Sequence, residues 1–340
     1  LHFAESDSAM NRQKKTSLRT RLLLLVTFIV LLGYALTLTL LSRQSSAMQY
    51  RTALQYTTQL AISEGSKATH NLEQGLDVAR TLAQALGGMK ITGLADRAQA
   101  NALLKGVLNA NPEFLGVWTG WEPDAFDGQD SEHAGLPGHD ATGRYVPYWK
   151  RGGDSATIQV EPPVDYDKPG AGDFYQLAKA SGQETVLEPY TYQLAGKAVL
   201  MTSLVVPILI DGRFVGVTGV DIALSSLQKT VEPIRIYETG FASVISHKGI
   251  YVADRDPNNV GKDIGRGESL DLARAAIDGG RSIQTHFVSE RLKTEVTRVY
   301  VPIHLGHSKD PWSFAVTVPD DTILADVQQL CISSAALGLI

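Results

Sequence analysis

The chain has 340 residues, 44 % hydrophobic and 20 % charged, which excludes a disordered or collagen-like polypeptide and admits two or three domains. A formal net charge of −5 speaks against a nucleic-acid partner. The single cysteine, Cys331, excludes an internal disulfide framework and a cysteine-based zinc cluster.

The first predicted element is a membrane span. Residues 22–41 read LLLLVTFIVLLGYALTLTLL, an uncharged run bounded by Arg21 and Arg43. A helix of that length crosses a hydrocarbon core roughly 30 Å thick. Arg12, Lys14, Lys15, Arg19 and Arg21 precede it, with no acid after Asp7. The positive-inside rule places residues 1–21 in the cytoplasm and the chain after Arg43 outside. A cleaved signal peptide has a shorter apolar core of about 7–15 residues, so residues 22–42 read as a retained anchor.

Residues 43–90 read as a long helix, with Leu54, Ala61, Leu72, Leu76, Val78, Leu82 and Leu86 at helical spacing. A second helix is expected over residues 96–109, with Asp96 as its N-cap. From Glu113 the period changes to two. FLGVWTGWE, RYVPYWKR, KAVLMTSLVVPILI and RFVGVTGVDIAL read as strands, and Asp211-Gly212 marks a tight hairpin. FYQLAKAS reads as a short helix. Together these predict an α+β unit on an antiparallel sheet over residues 91–225. A smaller α+β unit is expected over residues 226–325. Its strands fall at 240–250, 251–254, 282–288, 295–303 and 312–318, with a helix at 270–277. The closing VQQLCISSAALGLI makes residues 326–340 read as the start of a second span, the alternative being an ordinary apolar helix.

The chain contains no nucleophile elbow, phosphate loop, HExxH or kinase signature, so neither an enzyme nor a cofactor is expected. The loop DGQDSEHAGLPGHDATG offers Asp130, His133, His139 and Asp140. It lacks calcium-loop spacing and reads as a solvated loop, so no metal is expected.

VLMTSLVVPI-x4-FVGVTGVDIAL followed by GFASVISHKGIYVADRDPNNVGKDIG resembles the double Cache sensor domain of bacterial methyl-accepting chemotaxis proteins. The resemblance covers residues 44–325. It implies two tandem PAS-like modules on one long helix between two spans, with ligand binding in the membrane-distal module. It also implies an inner-membrane homodimer with residues 43–325 in the periplasm. A cytoplasmic region beyond residue 340 would work with an adaptor and a histidine kinase.

Amino-acid-binding members carry R-P-W-Y-x-x-A, then Tyr-x-Asp, then a late Asp. Here Gly172-Asp173-Phe174-Tyr175-Gln176-Leu177-Ala178 stands at the first element, so the carboxylate-holding Arg is replaced by Gly172. Tyr190-Thr191-Tyr192 stands at the second, and Asp221 matches the late aspartate, which in the family grips an ammonium. A carboxylate guest wants a guanidinium fork, whereas a cationic amine wants acids and aromatic faces. Asp173 and Asp221 are the acids on offer, with Trp121, Tyr148, Trp149, Phe174, Tyr175, Tyr190 and Tyr192 as the box. Trp118 and Trp121 face opposite ways on a regular strand, as do Tyr148 and Trp149. Trp121, nearer the loop, is preferred over Trp118. Asp165 and Asp167 are entrance candidates.

This set resembles the amine- and polyamine-sensing branch of the family and implies a putrescine-like, histamine-like or related biogenic amine. The alternatives are amino acids or purines in the same fold, or the same sensor on a histidine kinase or cyclic-dinucleotide enzyme. A membrane-tethered hydrolase would need a joined Ser, His and acid, and no such set stands out.

Overall fold

The computed structural model describes residues 17–152, 157–194, 196–237, 239–266, 268–289 and 292–322. The chain falls into two units, one of residues 1–52 with 324–340 and the other of residues 53–323. In the first unit the described part is the start of helix α1 (Leu18–Ile91). Among the described residues this is the one helix long and apolar enough to cross a membrane, with a mean hydropathy of 2.5 in its most apolar window. None of that window is buried. Thr37 and Thr39 turn their hydroxyls back on the carbonyls of Gly33 and Ala35, at 2.8 and 2.7 Å, which satisfies these two hydroxyls within the helix. The second span expected over 326–340 lies outside the described residues.

The second unit is built on the rest of α1. Ala61, Gly65, Ala68, Leu72, Leu76, Ala79, Leu82 and Leu86 are buried at three- and four-residue spacing, one apolar stripe down the helix. Near its end the stripe meets a first sheet. A Cβ on Gly75 would lie 2.6 Å from the Cδ1 tip of Leu204, so the glycine lets the helix pack closely on that side chain as it stands. Earlier along the stripe, Gly65 packs on Phe314 of a second sheet.

The first module, expected from the sequence to be membrane-distal and called the distal module, holds α2 (Arg97–Ala110), β1 (Phe114–Trp121), β2 (Tyr148–Arg151), β3 (Ile158–Glu161), α3 (Asp173–Ser181), β4 (Thr185–Val186), β5 (Tyr190–Leu194), β6 (Lys197–Ile210) and β7 (Arg213–Ala223). Its strands form one antiparallel sheet in the order β3-β2-β1-β7-β6-β4, with β5 also on β6. Asp96 caps α2 as expected, its side chain accepting the Gln99 N–H at 2.9 Å. Asp211 and Gly212 turn the β6–β7 hairpin with φ of 52° and 74°, the left-handed pair a tight turn requires.

The proximal module holds α4 (Leu224–Val231), β8 (Arg235–Ile236), β9 (Gly240–Ile245), β10 (Tyr251–Asp254), α5 (Glu268–Asp278), β11 (Ile283–Ser289), β12 (Thr294–Ile303) and β13 (Trp312–Pro319). Its antiparallel sheet runs β10-β9-β13-β12-β11, with β8 on β9.

A charged clamp joins α1 to the loops of both modules. Arg80 grips Glu184 through Nε and Nη2 at 2.6 and 2.7 Å, and Glu184 also accepts the His307 N–H at 2.9 Å. Burial works to raise the Glu184 pKa, but Arg80 and the His307 bonds outweigh it and hold the carboxyl at about 2.

Candidate functional site

The register of the distal sheet assembles a cleft on the face that α3 covers. Ser203, Asp221 and Gly116 stand opposite one another on β6, β7 and β1, and Lys150 on β2 completes that row. In the adjacent row Trp118 stands between Tyr148 and Gly219. A Cβ on Gly219 would fall 2.3 Å from the Trp118 ring, and one on Gly116 would fall 2.4 Å from Tyr148. The two glycines let both aromatic rings lie down against the sheet beside Asp221. Phe174 from α3 meets Trp118 edge to face at 5.4 Å. Tyr192 meets Tyr148 and Tyr190 in the same way, at 5.8 and 6.5 Å.

The cleft is lined by Trp118, Tyr148, Pro163, Phe174, Tyr190, Tyr192, Met201 and Asp221. It holds about 210 Å³ of atom-free space counted out to its mouth. Its aromatic walls meet one another edge to face, so a larger guest must part them.

Asp221 lies at the bottom and is 2 % exposed. Its Oδ1 accepts from the Trp118 indole N–H at 3.0 Å and from the Ser203 hydroxyl at 2.6 Å. Ser203 is in turn 2.7 Å from the Tyr190 hydroxyl. The Tyr148 hydroxyl is close enough to favour the charged carboxylate, yet it is buried without a well-aligned partner. Among the described residues no cation pairs with Asp221 and no hydrogen bond reaches its second oxygen. Burial therefore dominates and raises its pKa from 3.8 to about 6, against the smaller downward pull of Ser203, Trp118 and Tyr148. Lys150, in the same cross-sheet row, is already paired with Glu161.

Five of the residues expected from sequence, Tyr148, Phe174, Tyr190, Tyr192 and Asp221, come together here. Four lie elsewhere. Trp121 is on the opposite face of β1 and packs on Phe126 at 4.8 Å, so Trp118 takes the place expected for it. Trp149 points toward α2, where its N–H bonds Asn101 at 2.9 Å and Lys105 sits over its ring. Asp173 turns back to accept the Gly170 N–H at 2.8 Å, fixing the start of α3 instead of facing the cleft. Tyr175 shares the buried cluster behind the cleft, but its hydroxyl donates to Glu122 and accepts from Arg144 at 2.5 Å. Glu122 also holds Lys179 at 2.8 Å, so this network pins α3 to the sheet.

Asp165 and Asp167 are exposed, with Asp165 paired to Lys168. The Asp- and Gly-rich loop is exposed over residues 128–129, 131–132, 134–137 and 141–142, as expected of a solvated loop, but two of its polar side chains are held inside. Asp130 is buried and accepts from Arg97 at 2.6 Å and from the Asp124 N–H at 2.6 Å, and His139 is buried beside Tyr145. These acids tie the loop down and do not gather as metal ligands among the described residues. Sequence reasoning missed Pro163, Met201 and Ser203. Only Ser203 carried a signal, since counting back from the Asp211-Gly212 turn brings it within one position of Asp221.

Residues 100–229 match the family model for the methyl-accepting chemotaxis protein-like first PDC sensor domain. The chain is 32 % identical to the extracellular domain of the putative histidine kinase mmHK1S-Z3, with a TM-score of 0.69, covering 85 % of this chain and 98 % of that one. The chain belongs to the PDC sensor-domain family. Members of this Cache-like family are ligand-binding sensors and not enzymes. The methyl-accepting chemotaxis protein TlpQ of Pseudomonas aeruginosa is 30 % identical over 237 residues, 64 % of this chain and 32 % of TlpQ. The methyl-accepting chemotaxis protein PscA of Pseudomonas syringae pv. tomato is 30 % identical over 124 residues, 35 % of this chain and 19 % of PscA. The PDC chain thus spans a third or less of the length of the curated relatives it matches.

Proposed function

We propose that the chain is the sensor region of a transmembrane chemoreceptor whose distal cleft binds a small cationic amine, such as a polyamine, histamine or a related biogenic amine. The observation that carries this reading is the buried Asp221 carboxylate, paired with no cation among the described residues and with aromatic faces around it. Burying a lone carboxylate is costly, and an ammonium guest removes that cost while stacking on Trp118, Tyr148, Phe174 and Tyr192. An amino acid would place its own carboxylate in a cleft that, among the described residues, is lined by no arginine or lysine. In this reading residues 43–325 lie on the outer side of the inner membrane, the receptor is a homodimer, and its output passes to an adaptor and a histidine kinase. The guest drives signalling only through its differential affinity for the parted and closed forms of the cleft.

Similarity to the extracellular domain of a putative histidine kinase favours a second reading for the output alone, a receptor that is itself the kinase. The ligand assignment is tested by calorimetry on the full chain in detergent with putrescine, histamine, L-valine and adenine. The proposal expects saturable binding of putrescine or histamine. Binding of L-valine or adenine, with neither amine bound, contradicts it.

A further inference from the structure

We propose that the proximal module carries a second ligand site, built around Arg298 and shaped for a small carboxylate with a short apolar tail. Arg298 sits on β12, between β11 and β13, and is 7 % exposed. A guanidinium has five N–H donors and stays charged wherever it is buried. Here Nε donates to the Thr317 hydroxyl at 2.6 Å and Nη1 to the Tyr251 hydroxyl at 3.2 Å, while the Phe287 ring lies 5.2 Å away. All of these partners are neutral. Among the described residues no carboxylate pairs with Arg298, although the other buried arginine, Arg97, is held by two.

The surroundings add unspent hydrogen-bonding capacity. Thr285 and Thr317 stand directly opposite Arg298 on β11 and β13, so all three share one face of the sheet. Tyr300, two residues along β12, shares that face as well. Among the described residues, the hydroxyls of Thr285 and Tyr300 are buried without a hydrogen-bond partner. Tyr300 is near enough to feel the guanidinium charge but is not aligned with it. Beside this polar group lies an apolar cluster of Ile245, Ala315, Ala273 and Ile277, with Tyr251 and Ile283 half-buried at its edge.

A carboxylate answers each of these features. Its two oxygens match the guanidinium fork, and the Thr285 and Tyr300 hydroxyls can donate to the same oxygens. A short alkyl group then meets Ile277 and Ile283. Phosphate fits less well, because its additional oxygens would face the apolar cluster without donors. The face used is the one covered by α5, as the distal cleft uses the face covered by α3.

The test is thermal unfolding of the full chain in detergent, titrated with sodium propionate, with sodium chloride at matched ionic strength and sodium phosphate as controls. The wild type and Asp221→Asn are expected to show the same saturable stabilisation by propionate, which separates this site from the amine cleft. Arg298→Met is expected to abolish it, and Thr285→Val to weaken the apparent affinity about tenfold. Should Arg298→Met fail to fold, Thr285→Val decides. The proposal is overturned if propionate gives no saturable shift beyond chloride. It is equally overturned if the shift survives unchanged in Thr285→Val or in folded Arg298→Met, is lost in Asp221→Asn, or appears with phosphate and not propionate.

Discussion

The two modules bury opposite charges on comparable faces of comparable sheets. In the distal module the unpaired group is an acid, Asp221, and its neighbours Trp118 and Ser203 are donors. In the proximal module it is a base, Arg298, and its neighbours Thr317 and Tyr251 accept. In both cases neutral partners hold the charged group in place without cancelling its charge. The buried charges that serve structure look different. Arg97 is matched to Asp127 and Asp130, and the partly buried Arg80 is matched to Glu184. One scaffold thus tells pinning charges from recognition charges by whether an opposite charge is already present.

That distinction can be broken by removing one charge of each kind. Arg97→Ala leaves Asp127 and Asp130 buried without their cation and is expected to cost about 3–5 kcal/mol, read as a fall in unfolding temperature. Asp221→Asn is expected to do the reverse in the empty protein. Asp221 holds its proton more tightly folded than unfolded, so its penalty is absent below about pH 4, grows as pH rises toward about 6, and is complete above that. The variant should therefore be more stable than wild type at pH 7, by on the order of 3 kcal/mol, and equal to it at pH 4. A variant that is less stable at pH 7 would place Asp221 among the structural charges.

A finer cut separates the two faces of the distal sheet. Trp118→Phe removes the indole N–H that orients Asp221 and narrows the aromatic wall, and is expected to weaken putrescine binding about tenfold, or about 1.4 kcal/mol. Trp149→Phe changes a ring that faces α2 and should leave putrescine affinity within about twofold. Equal losses in both would mean that the cleft is not where the amine sits.

Much of the fold was legible from pattern alone. Period-two runs placed the long strands, the Asp211-Gly212 turn fixed the central hairpin, and Asp96 announced α2. The two-residue strands β4 and β8 were too short to leave a period. The site was legible in its residue types more than in its geometry. Parity showed that Trp118 and Trp121 oppose each other, but which one faces the cleft depends on pairing Trp118 with Gly219, two residues from Asp221. A bulge near Ile208 and Leu209 shifts the β6–β7 register, so plain counting from the turn pairs Asp221 with Thr202 instead of Ser203. Asp173 offered the right chemistry, yet the start of α3 used it first.

The central claim is that an ionised Asp221 holds a positively charged guest. The most direct measurement is putrescine affinity between pH 5 and pH 8, by calorimetry, in wild type and in Asp221→Asn. Putrescine keeps its charge across that range, so Asp221 is the group expected to set the profile. Wild-type affinity should be level above about pH 6 and fall about tenfold per unit below it, with the Asn variant at least about a hundredfold weaker at pH 8 and flat throughout. A wild-type profile with no break near pH 6, or a variant that binds as tightly as wild type, would contradict the account.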